Sequence, residues 1–155
     1  MRLDHAWIAA HIPHQGRMCL LDEVVEWTAE SICCRSESHR RADNALRAHG
    51  RLGIACGIEY AAQAMAVHGA LRAASLSRQA RPGLLASVRD LTMNVERLDD
   101  IAGPLIAGAA LVHGDDSMVL YEFSLGHATQ VLLSGRATIA FATPSGERPA
   151  MRALT

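Results

Sequence analysis

The longest apolar stretch of the chain covers residues 55–71, ACGIEYAAQAMAVHGAL, and carries one acidic side chain, Glu59. Its alanine, methionine, leucine and glutamine residues favour helix, and the stretch is too long for a typical buried strand. Apolar residues occupy most faces of this helix, and the alanines among them have little bulk. The pattern predicts a buried central helix that lies close against a broad surface such as a curved sheet.

Shorter apolar or alternating runs predict six strands. Two come before the helix and four after it, at residues 24–27, 31–36, 84–93, 105–112, 118–125 and 130–141. The links HGDDS and GHATQ are short enough for hairpins, so the strands should be mostly antiparallel, as a hairpin and then a meander of four strands. Asp4 is a typical cap for a short helix through Ala10.

This order predicts an α+β protein, with a highly curved antiparallel sheet of about six strands wrapped around one long central helix. Residues 1–143 are expected to form this one domain, and residues 144–155, which include Pro144, Gly146 and Pro149, are expected to form a flexible tail.

Composition excludes several classes of function. The 155 residues carry a net charge of −1, which argues against a nucleic-acid-binding surface. The central apolar run is slightly too short for a membrane span and contains Glu59, Gln63 and His68. The four cysteines form no CxxC pair, so neither a metal site nor a disulfide framework is indicated. The N-terminus lacks the continuous apolar core of a signal peptide, so a cytoplasmic location is expected.

Glu59 and Gln63 stand one helical turn apart and share a face of the predicted helix. A carboxylate on an apolar helix needs a polar partner or must be protonated, because burying an unpaired charge is costly. Such perturbed carboxylates are frequent at functional sites. A polar, arginine-rich loop at residues 39–53 precedes the helix and contains His39 and His49. Glu59 and this loop are therefore the first candidates for chemistry.

Two motifs, in this order, resemble the hotdog-fold 3-hydroxyacyl-acyl-carrier-protein dehydratases. IPHQGRMCLLDEVVEW at residues 12–27 resembles that family's LPHRxPFLLVDRVxE segment, and GIEYAAQAM at residues 57–65 resembles its helix entry, where glutamine follows an acidic residue by four positions. Within that family the chain resembles a divergent subgroup associated with aryl-polyene-type lipid pathways. It lacks the family's double-proline loop, and His49 stands ten positions before Glu59.

The resemblance implies dehydration of 3-hydroxyacyl thioesters to trans-2-enoyl thioesters, in fatty acid or polyene-type lipid biosynthesis. The substrate would be linked through phosphopantetheine to acyl carrier protein, and no cofactor or metal would be needed. The family's histidine and acidic residue come from different subunits, which implies a homodimer or a heterodimer with a related hotdog subunit.

The resemblance also assigns roles to residues. His49 would be the base for the C2 proton, and Glu59 would deliver a proton to the departing hydroxyl. Backbone N–H groups of Cys56 and Gly57, unsatisfied at the helix N-terminus, would face the thioester oxygen. Gln63 would orient Glu59, and His14 would pack in the N-terminal segment or line the substrate site.

Other interpretations of the same residues remain open. His39 is a reserve candidate for the base, and His68, on the opposite side of the helix from Glu59, is expected to be a satisfied core or interface residue. A hotdog acyl thioesterase would also carry a carboxylate on this helix, to activate water or attack the thioester. A catalytically silent acyl-binding subunit of a heterodimer would fit the missing double-proline loop.

Overall fold

The computed structural model describes residues 2–142 and confirms the predicted architecture, in which an antiparallel curved sheet wraps around one long helix. The elements are α1 (His5–His11), β1 (Glu23–Trp27), β2 (Ser31–Ser36), α2 (Gly57–Ser75), β3 (Gly83–Met93), β4 (Leu105–Gly114), β5 (Met118–His127) and β6 (Gln130–Phe141). The predicted tail, residues 144–155, lies outside the described residues. No helix within residues 2–142 is long and apolar enough to cross a membrane.

The six strands form one sheet in the order β1-β2-β4-β5-β6-β3. The hairpins β4–β5 and β5–β6 confirm the prediction for that part of the chain. The predicted meander is wrong at β3, which pairs with β6 at the edge of the sheet and not with β4. The link at residues 94–104 is too long for a hairpin. It packs against the segment before α2, because Leu98 is buried and its N–H donates to Leu52 O at 2.8 Å.

Local chemistry explains where the two helices begin and end. α1 begins as predicted, because the Asp4 side chain accepts from Trp7 N–H at 3.1 Å. α2 continues four residues beyond the predicted end. There the N–H groups of Ser77 and Arg78 donate to Ala74 O (3.1 Å) and Ala73 O (2.8 Å), the Schellman pattern, with Ser77 at φ 52°.

α2 packs against β2, β4 and β5, and its buried positions include the alanines Ala61, Ala64 and Ala70. The closest approach is at Gly57, the first residue of α2. A Cβ added there would stand 2.8 Å from Leu125 Cδ2 and 2.9 Å from Leu133 Cδ2. Both leucines are fully buried, so the start of α2 can lie this close to the sheet only because residue 57 has no side chain.

The two edges of the sheet differ in how well they are covered. The outer edge of β1 is partly paired, because Val24 N–H donates to Leu3 O at 2.9 Å. β3, at the other edge, has eleven residues and no strand on its outer side within residues 2–142. Leu84 is 69% exposed and Met93 is 48% exposed. A long, apolar, unpaired edge of this kind is a ready surface for pairing with another chain.

The close approach at Gly57 gives a stability prediction. Gly57→Ala should lower the free energy of unfolding by about 1–3 kcal/mol, because Leu125 and Leu133 must move out of their packed positions. Gly69→Ala is the matched control, since a Cβ at this exposed position of the same helix meets nothing within 4 Å. It should raise the free energy of unfolding by up to about 1 kcal/mol. Urea denaturation followed by circular dichroism measures both, and equal effects would contradict the prediction.

Candidate active site

Glu59 lies in the first turn of α2, with its side chain 32% exposed. Its Oε1 atom accepts two hydrogen bonds, one from His14 Nε2 at 3.0 Å and one from Gln63 Nε2 at 3.0 Å. Oε2 has no hydrogen-bond partner within residues 2–142. The arrangement therefore holds one oxygen of the carboxylate in place and leaves the other open.

The side chain of Gln63 is fully buried, and its hydrogen bonds fix its orientation. Gln63 Oε1 accepts from Leu20 N–H at 2.8 Å, so Nε2 must face the opposite way, where it donates to Met18 O at 2.6 Å and to Glu59. Both N–H bonds of the amide are used. The structure thus contains the contact with Glu59 that the sequence predicted, and it adds a connection from α2 to residues 18–20.

The electrostatic state of Glu59 follows from these contacts. The hydrogen bond from His14 lowers the pKa of Glu59 below the usual range of a glutamate, and the bond from Gln63 acts in the same direction. Burial raises the pKa, but by less than His14 lowers it. Glu59 is therefore ionised at neutral pH, and in this state the carboxylate accepts protons and cannot donate one.

His14 comes from the segment between α1 and β1, and local contacts determine where that segment lies. Ile12 is buried directly after α1, and the Gln15 side chain donates to Ala9 O at 2.9 Å at the end of the helix. Proline at position 13 restricts the backbone between these two anchors. His14 is thereby held against the first turn of α2.

The backbone N–H groups of Cys56 and Gly57 are hydrogen-bonded, whereas the sequence led us to expect them to be unsatisfied. Residues Ile54–Cys56 form a 3-10 turn that leads directly into α2, in which Cys56 N–H donates to Gly53 O at 3.1 Å and Gly57 N–H donates to Ile54 O. The premise that these two groups are unsatisfied is therefore wrong, because the 3-10 turn supplies their acceptors. A role of either residue in substrate binding stays a prediction.

His49 lies at the tip of a tight turn. Ala48 and Arg51 exchange backbone hydrogen bonds of 2.9 and 3.0 Å, and the two residues between them, His49 and Gly50, have φ values of 53° and 70°. Positive φ at both central positions is the geometry of a type I′ turn. The His49 side chain is exposed and has no hydrogen bond within the described part of the chain to Glu59. Its role as the base stays a prediction.

Two other histidines are core residues. His68 confirms the prediction of a satisfied side chain, because Nδ1 is 2.7 Å from Tyr121 Oη and Nε2 is 2.9 Å from Thr28 O. His39 is fully buried, with Nε2 at 3.0 Å from Ile101 O. Burial lowers the pKa of both imidazoles. Since His39 packs under the loop that contains Ile101, it is not available as a reserve base.

Comparison with solved structures places the fold among hotdog proteins. One match is the dehydratase heterocomplex ApeI:P from Xenorhabdus doucetiae, with a TM-score of 0.79, 20% identity and coverage of 90% of this chain and 93% of that chain. Zebra fish thioesterase superfamily member 2 matches with a TM-score of 0.60, 15% identity and coverage of 88% and 94%. Thioesterase HI1161 from Haemophilus influenzae matches with a TM-score of 0.56, 10% identity and coverage of 76% of each chain.

The fold and its carboxylate-bearing helix define a hotdog protein of the dehydratase and thioesterase kind. The model of the ApeP-like family, described as ApeP dehydratase, matches residues 6–149. The chain belongs to this family of hotdog dehydratases. A sequence search of curated proteins finds no match.

The buried amide of Gln63 gives a second stability prediction. Gln63→Leu should lower the free energy of unfolding by about 1–3 kcal/mol, because Met18 O and Leu20 N–H lose their partner inside the protein. Gln79→Leu, at an exposed glutamine in the link after α2, is the control and should change stability by less than about 0.5 kcal/mol. Urea denaturation measures both. Equal stability of Gln63→Leu and the unchanged protein would contradict the assigned hydrogen bonds.

Proposed function

We propose that this protein dehydrates 3-hydroxyacyl thioesters carried on acyl carrier protein to trans-2-enoyl thioesters, in fatty acid or polyene-type lipid biosynthesis. The observation that carries the proposal is the Glu59 carboxylate, held through Oε1 by His14 and Gln63 with Oε2 open, in a member of a dehydratase family. Glu59 is the catalytic carboxylate of this proposal.

The reaction breaks a C–H bond at C2 and the C–O bond at C3, forms the C2–C3 double bond and releases water. One group must accept the C2 proton and another must protonate the departing hydroxyl. The lowered pKa keeps Glu59 ionised at neutral pH, and an ionised carboxylate can accept the C2 proton but cannot donate one. We therefore assign Oε2 as the acceptor of that proton and a protonated imidazole as the donor to the hydroxyl. This exchanges the two roles expected from the sequence, in which histidine was the base and Glu59 the acid.

The imidazole is proposed to come from a second hotdog subunit. His14 is engaged with Glu59, and His39 and His68 are buried in the core, so none of these three is free to donate a proton to the substrate hydroxyl. The exposed turn that carries His49 is free to meet another subunit, and the unpaired apolar edge of β3 is the surface we propose for its docking. The similar Xenorhabdus doucetiae structure is a dehydratase heterocomplex, which supports a heterodimer.

A thioesterase is the second candidate function. An ionised carboxylate with one open oxygen can also activate water for attack on the thioester carbon, which would release the free acid and the carrier thiol. The two reactions differ in whether the thioester survives, so one experiment separates them.

Mass spectrometry of a 3-hydroxyacyl carrier-protein substrate tests the proposal. The full chain, alone and with a hotdog dehydratase partner, should cause loss of one water with the thioester intact. Glu59→Gln should reduce this rate by at least about 100-fold, because an amide cannot take the C2 proton. Glu96→Gln, at a side chain that is 92% exposed, is the control and should leave the rate unchanged.

Each outcome of that experiment has a definite meaning. Release of free acid would overturn the dehydratase proposal in favour of the thioesterase. Retained activity of Glu59→Gln would remove Glu59 from the mechanism. Acyl binding without turnover in either form would identify a silent subunit.

His49 is tested by a separate substitution. If the second subunit is another copy of this chain, its His49 is the proposed imidazole, and His49→Ala should lower kcat/KM of the dehydration by about 100-fold or more. His113→Ala is the matched control, because this exposed histidine lies near the end of β4. The same mass-spectrometric assay gives both rates, and an unchanged rate in His49→Ala would remove His49 of this chain as the source of the imidazole.

A further inference from the structure

His14 and Gln63 act on the same oxygen of Glu59 from different parts of the chain. Gln63 reaches Oε1 along α2, one turn on, whereas His14 approaches from the segment between α1 and β1. Two donors from different directions restrict both the position and the rotation of a carboxylate more than one donor can. The plane of the Glu59 carboxylate, and with it the direction of Oε2, therefore depends on His14 as well as on α2.

The surroundings of the His14 ring exclude a direct role in proton transfer to substrate. A carboxylate oxygen only accepts, so Nε2 carries the hydrogen that bonds to Glu59. Nδ1 is buried and has no hydrogen-bond partner within residues 2–142. Neither ring nitrogen is free to face a substrate while this contact exists.

We propose that His14 is the positioning residue of the catalytic carboxylate, whose Nε2–H holds Glu59 Oε1 so that Oε2 alone faces the substrate. The inference rests on the proposed function of Glu59. The sequence left two roles open for this histidine of the IPHQG segment, packing or lining of the substrate site. Positioning of Glu59 is a third. His14 also maintains the charge of the carboxylate, since its hydrogen bond is the largest contribution to the lowered pKa of Glu59.

The expected pH dependence follows from the groups around Glu59. His14 is the titratable group that faces the carboxylate from another element within residues 2–142, and the neutral Gln63 is the polar contact on α2 itself. Removing the His14 donor raises the pKa of Glu59, so a larger share of the carboxyl is protonated at a given pH. The acidic limb of the kcat/KM profile should therefore move to higher pH.

Three variants of the full chain test this role. His14→Leu removes the donor and should lower kcat about 10- to 100-fold with little change in KM, together with the shift of the acidic limb. His14→Gln can place an amide N–H near the position of Nε2 and should restore most of both properties. His11→Leu is the control, because this exposed histidine of α1 stacks on Trp7 and does not contact Glu59.

A titration followed by ¹³C NMR of the glutamate side-chain carboxyls separates this inference from the proposed function, because it needs no turnover. The Glu59 resonance should titrate at higher pH in His14→Leu than in the unchanged chain, and near the original pH in His14→Gln. If the Glu59 resonance titrated at the same pH in His14→Leu as in the unchanged chain, the hydrogen bond from His14 to Glu59 would be overturned. A shifted titration with an unchanged rate and pH profile of dehydration would overturn the positioning role. Absence of any dehydration by the unchanged chain would count against the proposed function alone.

Discussion

The buried amide of Gln63 is the contact on which the candidate site depends. It uses its oxygen and both N–H bonds inside the protein, and so joins α2 to the backbone of residues 18–20 and to Glu59 at the same time. A buried polar group must find its partners, because an unmade hydrogen bond in the interior costs about 1–3 kcal/mol. The segment that carries His14 therefore cannot move away from α2 without leaving polar groups unpaired in the core.

A second constraint acts at the first residue of α2. Gly57 lets the start of the helix lie against Leu125 and Leu133, and the 3-10 turn that precedes it uses the N–H groups of Cys56 and Gly57. The start of the helix is thereby fixed relative to the sheet, and Glu59 follows within one turn. The Glu59 side chain, which is 32% exposed, is therefore presented from a part of the helix whose position is fixed.

Local signals in the sequence were sufficient for most of the fold. The Asp4 cap, the length of the central apolar run and the short links between the last three strands each predicted an element that the structure contains. The end of α2 was missed because Ser77, and not glycine, takes the left-handed position that closes the helix. The place of β3 was missed because pairing with β6 depends on a long link whose path is set by tertiary contacts of Leu98 and Asp99.

The candidate site shows the same division between local and distant contacts. Glu59 and Gln63 stand four residues apart on one helix, so their hydrogen bond could be predicted from spacing alone. The bond from His14 joins residues 45 positions apart, and no local pattern in the sequence indicates it. The motif that contains His14 resembles a family segment, but its contact with Glu59 is found only in the fold, which places the ring beside the carboxylate.

This contact also bears on the proposal that a second subunit completes the site. An intrachain imidazole that is bonded to the carboxylate stabilises its charge, but it has no second nitrogen exposed for the substrate. Dehydration still requires a proton donor opposite the base, and the buried histidines of this chain are already bonded to Tyr121, Thr28 and Ile101. If His14 holds the carboxylate in place, the proposed dehydration needs its acid from another group, and this is the reason for proposing a second subunit. The edge of β3, which has no strand beside it within residues 2–142, is the surface that we propose for docking of such a partner.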